Sequence, residues 1–115
     1  MFKKQMEKLN ILWTSNDKET FKNMIAMYSL NSIKSGWWDA VNIIIWGGST
    51  RLSAEDVEVQ KELQKLMGNG VTIEACKACA DKIKVSATLK ELGVEVKYMS
   101  KLTGLIKGKE FLITV

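Results

Sequence analysis

Two thiols are the residues best able to do chemistry. Cys76 and Cys79 are the only cysteines in the chain and lie in Val71-Thr-Ile-Glu-Ala-Cys-Lys-Ala-Cys-Ala80. An apolar, β-branched run ends just before Cys76, and a helix-like stretch begins just after it. This places Cys76 at the carboxyl end of a strand and beside a helix N-terminus. In parallel α/β folds, ligands bind along that edge. A helix N-terminus also favours thiolate over thiol, and the thiolate is the nucleophile. Lys77, Lys82 and Lys84 add positive charge nearby. Residues three apart share one side of a helix, so the two sulfurs could exchange a bond. A plainer reading stands beside this one: free cysteine is often a small buried hydrophobe.

What the chain lacks narrows the chemistry. There is no histidine, so no histidine base, triad or metal ligand is available. A zinc site needs a full tetrahedral set of ligands, and two sulfurs fall short of it. No metal and no cofactor are therefore expected. A Cys-x-x-Cys motif also suggests a thioredoxin-like dithiol. Against that, the motif here follows a third strand, and a chain without proline cannot supply the cis-proline those folds set against it.

A second candidate is Gly47-Gly48-Ser49-Thr50, read as a loop between a central strand and a helix. Its backbone N–H groups could hold an anion or small ligand, with Asn16 and Asp17 at the same edge. The Walker and dinucleotide patterns are both missing. A simple tight turn, with Asn16 and Asp17 as caps, is the plainer account.

The elements that position these residues follow from the apolar pattern. Leu9 to Thr14 reads as a first strand, and Ser15-Asn-Asp17 then offers helix caps. Phe21, Met24, Ile25 and Tyr28 mark an apolar helix face, and Gly36 a stop. Met24 and Met27 are expected to fill core. Trp37-Trp38 precedes the second strand, and either one ring caps the core while the other is exposed or the pair joins a subunit interface. Asp39 to Trp46 is that strand, and its Ile43-Ile44-Ile45 run suits a central position. Ser53 with Asp56 is expected to cap a helix bearing Val59, Leu63, Leu66 and Met67. Val71 to Ala75 is the third strand, and a short helix starts at Lys77. A second, capped by Ser86, ends at Gly93. Val94 to Met99 is an edge strand. Ser100 to Lys107 is a helix with Leu102, Leu105 and Ile106 inward. Glu110 to Val115 is the last strand. This alternation predicts a parallel sheet with helices on both faces, an α/β fold.

Composition bounds the rest. Residues 1–115 suit one domain, with 46% hydrophobic and 26% charged residues. No apolar run approaches the roughly 20 residues of a membrane span. Met1 to Lys8 shows no signal-peptide hydrophobic region, so a cytoplasmic location with reduced thiols is expected. The net charge is +4, spread over lysines with Arg51 the only arginine. Nucleic-acid binders concentrate basic charge, so no direct nucleic acid partner is expected.

Taken in order, Leu9 to Thr14, the strand ending in Trp46-Gly47, Val71 to Cys76, Leu89 to Val96 and Glu110 to Val115 resemble the DsrE/DsrF-like family of small sulfur-relay proteins. The Tus sulfur-relay subunits belong to it. The resemblance covers nearly the whole chain. It implies a three-layer α/β/α sandwich whose five-stranded parallel sheet is ordered 4-3-2-1-5. It implies a persulfide carried on the cysteine after the third strand, which by position is Cys76. It also implies homotrimers or homohexamers and sulfur donor and acceptor proteins as partners. Tus subunits pass sulfur toward tRNA thiolation, and Dsr proteins serve sulfur oxidation. Two departures stand out. Lys82-Ile-Lys-Val85 lacks the glycine many relatives have after the cysteine, and Cys79 is an addition to the single-cysteine pattern. Three readings follow: a sulfur carrier acting through Cys76, a dithiol/disulfide oxidoreductase using Cys76 and Cys79, and a non-catalytic module binding a small anion at Gly47–Thr50.

Overall fold

A computed structural model describes residues 6–115. The start of the chain, where no signal-peptide region is expected, lies outside the described residues up to Gln5. Five strands form one parallel sheet: β1 (Lys8–Trp13), β2 (Ala40–Ile45), β3 (Thr72–Cys76), β4 (Glu95–Lys97) and β5 (Leu112–Thr114). Their order is β4-β3-β2-β1-β5, and every neighbouring pair is parallel. This is the expected 4-3-2-1-5 sheet.

Crossover handedness decides where the helices go. Parallel connections are right-handed, so the three steps from β1 out to β4 carry their helices over one face. The return step from β4 to β5 carries its helix, α7 (Ser100–Lys107), under the other. The buried core follows this division. Phe21, Ile25, Val59, Leu63, Leu66 and Leu89 pack on Ile11, Trp13, Val41, Ile43, Ile45 and Ile73, and the cluster includes no residue of α7. Trp13 and Phe21 stack with ring centroids 4.4 Å apart.

The first helical stretch runs through α1 (Lys18–Thr20), a π-helical segment (Phe21–Ala26) and α2 (Met27–Ser35). Asp17 caps it by accepting the Thr20 N–H at 2.9 Å, and Gly36 closes it in the left-handed conformation. The expected apolar face is corrected here. Phe21 and Ile25 are buried, but the buried line continues through Ser29 and Ser32, while Met24, Met27 and Tyr28 are exposed. The wide π turns rotate the later residues relative to a plain α-helix. Of the two tryptophans, Trp37 is exposed and Trp38 packs on the core edge. Trp38 also donates from Nε1 to the Tyr28 hydroxyl at 3.1 Å.

Four further expectations change. Gly48, Ser49 and Thr50 are not loop but the first turn of α3 (Gly48–Glu55). Asp56 alone caps α4 (Val57–Gly68), accepting the Val59 N–H at 3.0 Å. Ser53 is instead buried in α3 and donates to Ser49 O. Val85, not Ser86, precedes the first residue of α6 (Ser86–Leu92), and the Ser86 hydroxyl donates to Asp81 at 2.5 Å. Finally, α7 buries no residue completely, and Ile106 is exposed.

Beside Leu12 and the buried Ile44, the second face holds a polar row. Side chains alternate along a strand, so Asn10, Asn42 and Glu74 point away from the apolar core; all three are buried. Asn10 donates to Phe111 O at 3.1 Å, and Asn42 donates to Glu74 Oε1 at 2.8 Å and, more weakly, to Asn10 Oδ1 at 3.4 Å. Thr72 donates to Asn42 Oδ1 at 2.6 Å. Lys101 of α7 pairs with Glu74 Oε1. Lys97 of β4 stands 2.8 Å from Oε2, an ion pair by distance. Burial pushes the Glu74 carboxyl up, but Lys101, Lys97 and Asn42 outweigh it and hold it below its ordinary value.

A carboxyl whose folded value lies below its unfolded one stabilises the fold above the unfolded value, and this contribution is lost as pH falls through the folded value. Glu74→Gln should therefore lower stability at pH 7 by about 1–3 kcal/mol. The gap to wild type should close as pH drops below about 4. Urea midpoints of both proteins across that range test this; a gap that stays constant with pH contradicts it.

Candidate functional site

Cys76 is the last residue of β3 and lies opposite Lys97 of β4. From β3 the chain enters α5 (Lys77–Lys82) on the many-helix face, and from β4 it enters α7 on the other. Two neighbouring strands thus send their connections to opposite faces, and α/β folds bind ligands beside the carboxyl ends of strands so arranged. Cys76 stands at that switch point.

The thiol itself is buried, with Cys76 only 4% exposed. Burial is the largest influence on it and pushes its pKa above the ordinary thiol value. The backbone N–H of Cys79 acts in the opposite sense, the Cys79 thiol beside it raises the value again, and the N–H of Ala78 lowers it. Cys76 is the N-cap residue of α5, though its sulfur makes no full capping hydrogen bond. The expected lysine activation takes another form. Lys77 is bound to Asp81 at 2.5 Å and lies 5.4 Å from the centre of the Tyr98 ring. Lys84 stands in the left-handed region at φ 61°.

Cys79 is half-buried and opens elsewhere. It lines a cleft of about 220 Å³ together with Asn16, Gly47 and Gly48. Thr50, Arg51 and Lys82 complete the polar wall. The structure thus brings together most of the residues singled out from the sequence. Gly47 makes the strand-to-helix turn at φ 64°, ψ −132°, a backbone suited to glycine. A Cβ on Gly48 would stand 3.0 Å from Thr14 O and 3.2 Å from Asn16 N, so the ends of β1 and β2 touch there. Ser49 does not face the cleft. Its buried hydroxyl donates to Trp13 O at 2.5 Å and accepts the Trp46 N–H at 3.1 Å, tying those strand ends together. Cys76 is not part of the cleft wall.

Sequence reasoning did not single out Thr50, Arg51 and Lys82 as one group. Thr50 is the fourth residue of the Gly-Gly motif, which was the available signal. The convergence of Arg51 and Lys82 depends on how α3 and α5 pack.

The DsrE/DsrF-like family model matches residues 15–115. The chain belongs to the DsrE/DsrF-like family. Among solved structures, this DsrE/DsrF-like chain is similar to a conserved protein of unknown function from Bacteroides thetaiotaomicron. The two are 44% identical over 95% of each chain, with a TM-score of 0.93. A protein of unknown function from Methanobacterium thermoautotrophicum matches at 16% identity over 96% of this chain and all of its own, with a TM-score of 0.70. The ychN protein of E. coli matches at 13% identity over the same shares, with a TM-score of 0.63. At those two identities the likeness is one of fold. No protein of curated function matches the sequence.

Exposure separates the two thiols of this DsrE/DsrF-like chain, and burial pushes the Cys76 pKa up. Iodoacetamide at pH 7 should alkylate Cys79 about tenfold faster than Cys76. Only thiolate reacts, so the Cys76 rate should keep climbing above about pH 8.5. Trypsin cuts after Lys77 and separates the two cysteines for mass mapping. Equal rates at pH 7, or a Cys76 rate that levels off below pH 8, would contradict the assignment.

Proposed function

We propose that this protein is a sulfur-relay carrier in which Cys76 accepts sulfane sulfur and holds it as a persulfide. The observation that carries the reading is the place of Cys76: the end of β3, at the topological switch point, with the Cys79 thiol beside its sulfur. Family membership supports it, since sulfur relay is the role the DsrE/DsrF-like family suggests.

The transfer is a balanced exchange. The Cys76 thiolate attacks the outer sulfur of a donor persulfide. A sulfur–sulfur bond forms at Cys76, the donor's own breaks, and the donor leaves as a thiolate. No outside oxidant or reductant is needed, because the sulfane sulfur keeps its oxidation state. An acceptor thiolate later repeats the exchange on the Cys76 persulfide. Burial limits hydrolysis and unwanted reduction while the sulfur is held. The N–H groups of Ala78 and Cys79 favour the anion during attack.

Cys79 gives the pair a second outcome. Its thiolate can attack the inner sulfur of the Cys76 persulfide, forming a Cys76–Cys79 disulfide and expelling sulfide. A protein using mainly that step would be a dithiol/disulfide oxidoreductase, and the adjacency of the two sulfurs is what favours this second reading. Donor and acceptor proteins, a homotrimer or homohexamer and a cytoplasmic setting belong to the carrier proposal. Both cysteines stand as free thiols, as a reducing compartment would keep them. Among the described residues, no helix is long and apolar enough to cross a membrane.

Intact mass after treatment with a sulfane-sulfur donor and desalting tests the proposal. Wild type and Cys79→Ser should each retain one added sulfur atom, and Cys76→Ser about tenfold less. Retention by Cys76→Ser equal to wild type would overturn the carrier reading. Loss of two hydrogens and no retained sulfur in wild type, with one sulfur trapped only in Cys79→Ser, would replace it with the oxidoreductase.

A further inference from the structure

The cleft beside Cys79 carries groups that sulfur transfer at Cys76 does not use. It opens at the N-terminus of α3, an eight-residue helix whose N-cap, Gly47, has no side chain with which to cap it. The first N–H groups of a helix lack internal acceptors and present partial positive charge. Arg51 and Lys82 stand in the same wall, and no carboxylate lines it. Arg51 is bonded to Glu55 at 3.0 Å on its exposed side. Lys82 makes no ion pair among the described residues.

Thr50 supplies the independent sign of a ligand. It is 2% exposed and lines the cleft, yet its Oγ1 has no hydrogen-bond partner. A helical threonine ordinarily returns its hydroxyl to a carbonyl three or four residues back. The carbonyl four back, Trp46 O, already has the Ser49 hydroxyl 3.0 Å away. A buried hydroxyl without a partner is costly, by about 1–3 kcal/mol, and an acceptor in the cleft would remove that cost.

We infer that the cleft binds a small tetrahedral oxyanion of the phosphate or sulfate class. The first N–H groups of α3, at Gly48 and Ser49, and the Thr50 hydroxyl donate to it, while the Thr50 N–H stays bonded to Gly47 O at 3.1 Å; Arg51 and Lys82 balance its charge. A volume of about 220 Å³ suits such a group, free or as the end of a small ester. Bound there, the anion stands against the Cys79 sulfur and shields it. The inference holds whether or not Cys76 carries sulfur, and its test does not read sulfur transfer.

The experiment titrates wild-type protein with inorganic phosphate, sulfate and glycerol 3-phosphate, using chloride at matched ionic strength as the control. Amide NMR shifts at Gly47 to Thr50 and the alkylation rate of Cys79 are the readouts. Saturable shifts and a severalfold slowing of Cys79 alkylation are expected, with the Cys76 rate unchanged. Tighter binding of glycerol 3-phosphate would identify an ester as the occupant, and equal or weaker binding the free anion; both support the site. Thr50→Val, which keeps the side-chain shape, and Lys82→Gln, at an exposed position, should each weaken binding about tenfold. Shifts that chloride reproduces, shifts that do not saturate, or folded variants that bind like wild type would overturn it.

Discussion

A carboxylate buried against a parallel sheet must be neutralised where it sits, and much of this structure is arranged around Glu74. Left unpaired, such a charge costs several kcal/mol. Its partners, Lys97 and Lys101, come from β4 and α7, the elements that follow it in the chain. Those elements have little else to fix them. β4 is three residues long, and α7 buries no residue completely. The ion pairs fasten the return crossover beneath the sheet, so that β5 arrives beside β1. There Asn10, bonded to Asn42, takes the Phe111 carbonyl. One polar row thus links the β4 edge to the β5 edge.

The same tether bears on the place of Cys76. Glu74 and Cys76 are two apart on β3, so both point to the face that α7 crosses. If α7 lay with the other helices, β3 and β4 would send their connections the same way, and Cys76 would not stand at a switch point. The anchor of the last crossover and the position of Cys76 are therefore consequences of one short strand.

Strands and helix order were legible because β-branched runs and capping residues act locally. Ile43 to Ile45 could only be a central strand, and Asp17, Gly36 and Gly93 acted as read. The misreadings concern features that depend on neighbours. Met24 and Tyr28 fit a plain helical period, and the π segment, which turned them outward, leaves no pattern in the residue types. Gly47-Gly48 reads as a turn by composition. Only Gly47 serves as one, because Ser49 locks onto Trp13 O and pulls the helix start forward. Glu74 was not singled out, because the lysines that neutralise it lie more than twenty residues away in sequence. The position of Cys76 was legible, since a strand end and a helix start are both local. Its burial stood in the sequence only as the plainer of two readings, because the surrounding cover comes from separate elements.

That burial changes how the cysteine pair works. A helix N-terminus and nearby lysines suggested an activated thiolate at Cys76, but desolvation outweighs the N–H groups and Lys77 is held by Asp81. A buried thiol with a raised pKa is slow to attack and well shielded, qualities that suit holding sulfur more than fetching it. Cys79 has the complementary position, in a cleft open to solvent and lined by cations. In the proposed carrier, the addition of Cys79 to a single-cysteine pattern would divide holding from access between two sulfurs three residues apart. An anion in the cleft would then act on access alone and leave the holding thiol untouched.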